Sequence, residues 1–417
     1  MALLITLIAL YILFTGFVLF LEYLNVSYLE KNRGKVPPGF EGSVGPDFLE
    51  RASGYLRENT KFGAVAYSIE RIVALIFVFA ALGYYNNLIS SLKLSFPFSG
   101  VIFFMLLFYA DALLTAPLSL YRTFGIEKRY GFTTMTPGLW AVDFMKSLVV
   151  STVILAAITY AALKIVEMSP ALWWFWIWAL FLAFSVFMLY ISPYVIEPLF
   201  NKFEPITDAA LEESIREVAD RAGIKVKRVL KIDASRRTTH TNAYFTGIGR
   251  VKRIVLYDTL LERLTGAEIT AVLAHEIGHW KKRHVLKSLL FLEAFALVAL
   301  FTAYILMQGE SLNGLFHIRG GGFFTKAVVL GFIGGVLSTP FEPLFNYLSR
   351  RREYQADAYS CAATNDPGSM ESSLIKLSKD NLSNLYPHPL YAAFHYSHPP
   401  VTDRIRHIRR ARALTGR

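Results

Sequence analysis

Residues 275–279 read His-Glu-Ile-Gly-His. On a helix, histidines four apart project from one face and can hold a single metal ion. Glu276, beside them, is then placed to act as general base on a metal-activated water. The flanks read as helix: Thr265 and Glu268 form a capping-box pattern, and AEITAVLAHEIGHWKKRHVLKSLL carries helical character without a break. The competing reading is a helix with two partly exposed histidines beside the basic run KKRH. The motif alone is a good signal but not a sufficient one.

A catalytic zinc needs a third protein ligand and an open fourth position for water. A histidine ligand in the HExxHxxGxxH pattern needs glycine at 282 and histidine at 285, and the chain has Lys282 and Val285. On one continuous helix, Glu293 lies about 21 Å beyond His279 and is out of reach. Glu310 falls on the wrong side of the membrane by the charge distribution set out below, and Glu342 falls inside an apolar span. Glu353 fits, in SRRREYQADAY at 349–359, immediately after the last apolar span. Asp357, four residues on, shares its helical face and could orient a ligating histidine. The alternative for this pair is a solvated helix end beside Arg350, Arg351 and Arg352.

The elements that must position these groups are mostly apolar. Hydrophobic residues make up 54% of the 417 and charged residues 18%, with mean hydropathy +0.39. Yet the formal net charge is +11. That combination excludes a single soluble globule, a disordered chain and a collagen-like fibre. Seven runs are long enough to span a bilayer: about 3–24, 64–86, 98–121, 139–163, 171–195, 288–307 and 323–348. The first lacks a basic leader and is too long for a signal peptide, so it reads as a retained helix.

Of the 43 Lys and Arg, 37 lie in alternate loops and the C-terminal tail, all on one side if the spans number seven. The positive-inside rule makes that side cytosolic and puts the N-terminus outside. The positive charge is therefore topology and not the mark of a nucleic-acid partner. Glu70, Arg71, Asp111, Asp143, Lys146, Glu293, Lys326 and Glu342 fall in or near spans. Snorkelling covers those at span ends, while Asp111, Asp143 and Glu293 point to a polar interior. The single cysteine, Cys361, excludes an intrachain disulfide framework.

Outside the spans, ITDAALEESIREVADRAGI reads as an amphipathic helix from Asp208 to Gly223. The runs RVLKID, NAYFTGIG and KRIVLYD read as strands, the last two joined by a Gly-Arg turn. This divides the chain into residues 1–200 (five spans with loops), 201–287 (cytosolic part of a metal domain), 288–348 (two spans) and 349–417 (the rest of that domain). A metal held by 275–279 and 353 sits at the membrane boundary, which suits a substrate with one end in lipid.

These motifs, with YRTFGIEKRYGF at 121–132, PYVIEPLFNKF at 193–203, RTTHTNAYFTGIGRVKRIVLYDTLL at 237–261 and HYSHPPVTDRI at 395–405, give the chain a specific likeness. It resembles the type I CAAX prenyl endopeptidases, integral-membrane zinc proteases that cleave after a prenylated cysteine. The resemblance covers most of the chain. It implies a mainly α membrane protein, with seven transmembrane helices forming a barrel-like chamber and a small α+β zinc metalloprotease domain capping it. It implies one zinc ion on His275, His279 and Glu353, with Glu276 activating water. It also implies Asn242 near the substrate on an edge strand, His398 stabilising the oxyanion, and Arg404 near the substrate C-terminus.

The expected partners are the bilayer and a peptide or prenylated protein C-terminus. The ending ALTGR carries no di-lysine retrieval signal. The expected location is therefore a bacterial cytoplasmic membrane, or the endoplasmic reticulum for a eukaryotic chain. For a bacterial member the alternative expectation is a quality-control metalloprotease that works on membrane-protein segments with no prenyl requirement. The competing classes are another membrane metalloprotease and a transporter or lipid-binding protein with a structural metal.

Overall fold

The computed structural model describes residues 2–246, 251–309, 311–316, 318 and 321–415. The expected Gly249–Arg250 turn and Glu310 lie outside the described residues. Among the described residues, seven helices are long and apolar enough to cross a membrane: α1 (Ala2–Lys31), α2 (Pro46–Ser91), α3 (Phe96–Tyr130), α4 (Pro137–Met168), α5 (Trp173–Phe200), α8 (His284–Met307) and α9 (Phe323–Thr364). All seven expected spans are present. Most run past the apolar stretch at the end that carries the metal motifs, so much of the basic loop sequence there is helical.

At most 11% of any span's apolar window is buried within the protein. The spans therefore meet along narrow seams, such as α3 on α4 and α5 on α8. Most of each span's surface is left uncovered by its neighbours. An aromatic cluster of Tyr11, Phe79, Phe316 and Phe332 packs the end away from the metal motifs. The ionisable residues in the spans divide clearly. Asp143 accepts two bonds from Arg237 (2.8 and 3.1 Å), fastening the 237 loop to α4. Lys326 reaches the carbonyls of Met307 and Gly309, at the end of α8. Asp111 is exposed within its span. Glu293 is buried, and its backbone carbonyl accepts from the Trp178 indole at 3.0 Å.

The remainder forms a small α+β unit. A four-stranded sheet runs in the order β1-β2-β4-β3: β1 (Phe203–Pro205), β2 (Lys225–Ile232), β3 (Ala243–Thr246) and β4 (Val251–Tyr257). β2 and β4 are parallel, and the other pairings are antiparallel. Helix α6 (Ala209–Arg221) begins where Asp208 caps Leu211 N at 2.9 Å and ends before Gly223, whose φ is +78°. It supplies Leu211, Ile215 and Val218 to a core shared with the sheet and with α7 (Gly266–Lys281). The tail adds α10 (Pro367–Asp380), α11 (Pro389–His395) and α12 (Val401–Thr415). It is tied to α1, where buried Asn25 accepts from Asn384 and from the His388 backbone.

One expectation is corrected. α7 does not run straight into the sixth span: it ends at Lys281, Arg283 takes a left-handed conformation (φ 56°), and α8 starts afresh at His284. The distance that ruled out Glu293 assumed one rod and does not hold, although Glu293 is still not in the ligand cluster.

Candidate metal centre

α7 has two buried faces, and each has a separate task. Ile269, Leu273 and Ile277 recur every four residues and pack into the sheet core. Ala271, His275, Gly278 and His279 face α9. The full capping box of Thr265 and Glu268 fixes where α7 starts, and Lys376 reaches Glu268 at 2.7 Å. On α9 the buried residues Glu353, Ala356, Asp357 and Ser360 follow the helical pattern i, i+3, i+4, i+7. The Ser360 hydroxyl donates to Ala271 O at 2.6 Å. The contact is close because position 278 is glycine: a Cβ there would lie 3.1 Å from both Ala356 Cα and Tyr359 Cβ.

This approach brings His275, His279 and Glu353 together, with one ligand atom from each lying within 4.8 Å of the others. His275 Nε2 is 3.4 Å from Glu353 Oε2, and His279 Nε2 is 3.2 Å from Oε1. The two Nε2 atoms are 3.1 Å apart. Glu353 Oε2 is buried and makes no hydrogen bond. Two imidazole nitrogens and an unsatisfied carboxylate oxygen facing one another at these distances fit a cation between them.

The outer nitrogens of both histidines are held. His275 Nδ1 meets Asp357 Oδ1 at 2.8 Å, and Arg404 donates to both Asp357 oxygens (Nε to Oδ2 2.9 Å, Nη2 to Oδ1 2.6 Å). His279 Nδ1 lies 3.0 Å from His284 Nδ1, and His284 Nε2 lies 3.0 Å from Gln355 Oε1. One set of tautomers satisfies all of this. His279 Nδ1–H donates to His284, and His284 Nε2–H donates to Gln355, leaving His279 Nε2 as a free lone pair. His284 was missed from sequence, where it read as the end of a basic run. A ligating histidine needs a partner for its other nitrogen, but His284 becomes a candidate only once the helix end before it is known, and the sequence does not mark that end.

Burial disfavours the charged imidazole of His275, yet bonds to Asp357 and Glu353 outweigh it and hold its pKa up at about 9. Metal entry must therefore release a proton. Burial also pushes the Glu276 carboxyl up, opposed by the two neighbouring imidazoles. That shift moves it toward the range useful to a base at neutral pH.

The remaining expected residues lie at the rim or behind. His398 is 63% exposed, with Nε2 3.4 Å from Glu353 Oε1 and Nδ1 3.0 Å from Ser397 Oγ. Asn242 is exposed at the head of β3, the edge strand, and its Oδ1 accepts from Ala243 N at 2.9 Å. Arg404 sits behind the ligands, its guanidinium only 12% exposed and engaged with Asp357.

Two family models match: the CAAX prenyl protease N-terminal region of five membrane helices over residues 25–202, and peptidase family M48 over residues 205–412. CAAX prenyl protease 1 of Saccharomyces cerevisiae is 34% identical over 93% of this chain and 91% of its own. An uncharacterized metalloprotease of Bacillus subtilis, YhfN, is 32% identical over 73% of this chain and 72% of its own. The crystal structure of S. mikatae Ste24p superposes with a TM-score of 0.90 at 29% identity, covering 97% of this chain and 98% of that one. The helical spans, the small sheet and the His-His-Glu cluster thus meet in one assignment: the chain is a multi-pass membrane metalloendopeptidase and belongs to the CAAX prenyl protease family, within peptidase family M48.

Proposed function

We propose that this chain is a zinc-dependent endopeptidase that cleaves near the C-terminus of membrane-associated, prenylated CAAX-type substrates, with one zinc ion on His275, His279 and Glu353. The observation that carries this reading is the placement of that cluster and Glu276 on helices that abut the spans. A bound zinc ion would supply Lewis acidity, polarising the scissile carbonyl and making water acidic enough to give up a proton near neutral pH.

The chain's own residues do the rest. Glu276 accepts the proton of the attacking water and later passes it to the leaving amine. With Ser397 Oγ–H donating to His398 Nδ1, the ring proton sits on Nε2, which faces Glu353 Oε1 and can turn to a developing oxyanion. Asp357 fixes the tautomer of His275, and Arg404 balances the charge of Asp357. Toward a substrate C-terminus, Arg404 offers positive charge rather than a free fork, since Asp357 takes its Nε and Nη2. Asn242 heads an unpaired strand edge that can align an extended peptide.

Residues 201–287 and 349–417 act as one metal domain, with 1–200 and 288–348 as its membrane part. The basic residues put that domain on the cytosolic side and the N-terminus outside. Relatives in Bacillus subtilis and in Saccharomyces cerevisiae leave a bacterial cytoplasmic membrane and a eukaryotic membrane as the two locations to separate. For a bacterial chain, where prenylated CAAX proteins are not a normal product, a second reading has the same site cutting membrane-protein segments with no prenyl requirement. Product mapping on matched peptides with and without a farnesyl group decides between the two. Prenyl-dependent cutting after the modified cysteine supports the first, and equal cutting of both peptides supports the second. Glu276→Gln is expected to keep zinc and abolish cleavage. A fully active variant would remove Glu276 as the base.

A further inference from the structure

A groove of about 670 Å³ opens between α1, α9 and the tail, and none of His275, His279 and Glu353 lines it. Residues advance 100° per position on a helix, so Arg351 points about 200° away from Glu353. The groove is lined by Tyr28 on α1, Tyr347, Arg350, Arg351 and Tyr354 on α9, and Arg406 on α12. Its height in the membrane is fixed by two spans. Tyr28 lies one turn past the apolar run of α1, and Tyr347 lies where the apolar run of α9 ends. Tyrosines and arginines at that level are the composition of a membrane–water boundary.

The charge in the groove is not balanced. Three arginines line it against one carboxylate, Asp403. Arg351 is exposed and makes no hydrogen bond or ion pair among the described residues. Among the described residues Arg406 has one ion-pair partner, Asp403, at 3.1 Å. Arg350 is different: its Nη1 donates to the carbonyls of Ala392, Ala393 and Tyr396, so it builds the wall. Pro37, Pro387 and Pro399 stiffen the other walls, so the groove is shaped in advance of binding.

We propose that this groove binds the headgroup of an anionic phospholipid from the leaflet on the metal side. Arg351 and Arg406 take the phosphate, while Tyr28 and Tyr347 pack against the glycerol and upper acyl region. A substrate carboxylate is poorly served here, because none of His275, Glu276, His279 and Glu353 lines the groove. The lipid would brace α1, α9 and the tail against one another without entering the reaction.

The test uses the full chain, delipidated in a neutral detergent. It is titrated with phosphatidylglycerol, phosphatidylcholine or inorganic phosphate, and followed by native mass spectrometry and the thermal unfolding midpoint. One phosphatidylglycerol is expected to be retained in preference to phosphatidylcholine, with a rise in midpoint. Arg351→Gln and Arg406→Gln should each weaken that binding about fivefold. Arg410→Gln removes an exposed charge from the same tail helix outside the groove, and should leave binding unchanged. Equal retention of the two lipids overturns the proposal, as does a loss in Arg410→Gln matching that in Arg351→Gln. An equal shift with inorganic phosphate would assign the groove to a free anion instead. The lipid-free midpoints of the variants, expected to match the parent, separate lost binding from lost folding.

Discussion

The two sides of the metal cluster are built differently. On the buried side, the outer nitrogen of each ligating histidine is fixed: His275 by Asp357 and Arg404, His279 by His284 and Gln355. On the open side, His398 is mostly exposed, and the one side-chain hydrogen bond of Asn242 among the described residues is to its neighbour's amide. The buried side can therefore be complete before a substrate arrives, whereas the open side is finished by the substrate. Residues behind the ligands should govern how tightly metal is held, and residues at the rim should govern turnover.

The sharpest way to break this division is Glu353→Ala. It removes a ligand from the buried side and leaves His275 and His279 facing each other across 3.1 Å with no anion between them. Metal content is expected to fall from one per chain to near zero, and cleavage with it. Metal analysis together with a peptide assay would show this. Full metal occupancy in the variant would mean that the third ligand lies elsewhere.

The next largest effect belongs to the rim. His398→Ala should lower kcat by about 10²–10³, the usual result of losing one oxyanion donor, while metal content stays at the parent level. A loss of metal in this variant would merge the two sides into one.

Behind the ligands, Asp357→Asn is expected to weaken metal affinity by about 10–100-fold. It keeps the shape but weakens the charge-assisted bonds from His275 and Arg404. His284→Ala should cost less, toward tenfold, because His279 is partly exposed and water can replace the lost partner. Competition with a chelator ranks the two. If His284→Ala matched the parent, the relay through Gln355 would be a packing feature and nothing more.

The parts of this site legible in sequence are those set by local helical spacing. His275 and His279, and Glu353 and Asp357, are pairs four apart, and the capping box at Thr265 is a four-residue pattern; all three appear as read. The helix break at Lys282–Arg283 was not legible. Lys and Arg are good helix formers, and no Gly or Pro marks the stop. That break is what turns His284 back toward His279, so one missed boundary hid one site residue. The parallel pairing of β2 with β4, which leaves β3 at the edge, depends on contacts between distant segments that local patterning does not encode. Resemblance found Arg404 but not its position, because a motif records which residue recurs and not what its side chain touches.

The smallest expected effect tests how the buried side is held together. Gly278→Ala gains about 1 kcal/mol of helix propensity, so an isolated α7 would be more stable with it. In the folded protein the added Cβ meets the Ala356 backbone and Tyr359 Cβ at 3.1 Å, and neither can swing aside as a flexible side chain would. Overpacking of this kind costs about 1–3 kcal/mol. The clash should therefore win by a small margin, lowering the unfolding midpoint and pushing α9 away from α7 by a few tenths of an ångström. That displacement loosens Glu353 against His275 and His279, so metal affinity should fall while kcat of the metal-loaded enzyme holds. Gly278→Ala with unchanged metal affinity and a raised midpoint would show that propensity prevails, and that the two helices have room to spare.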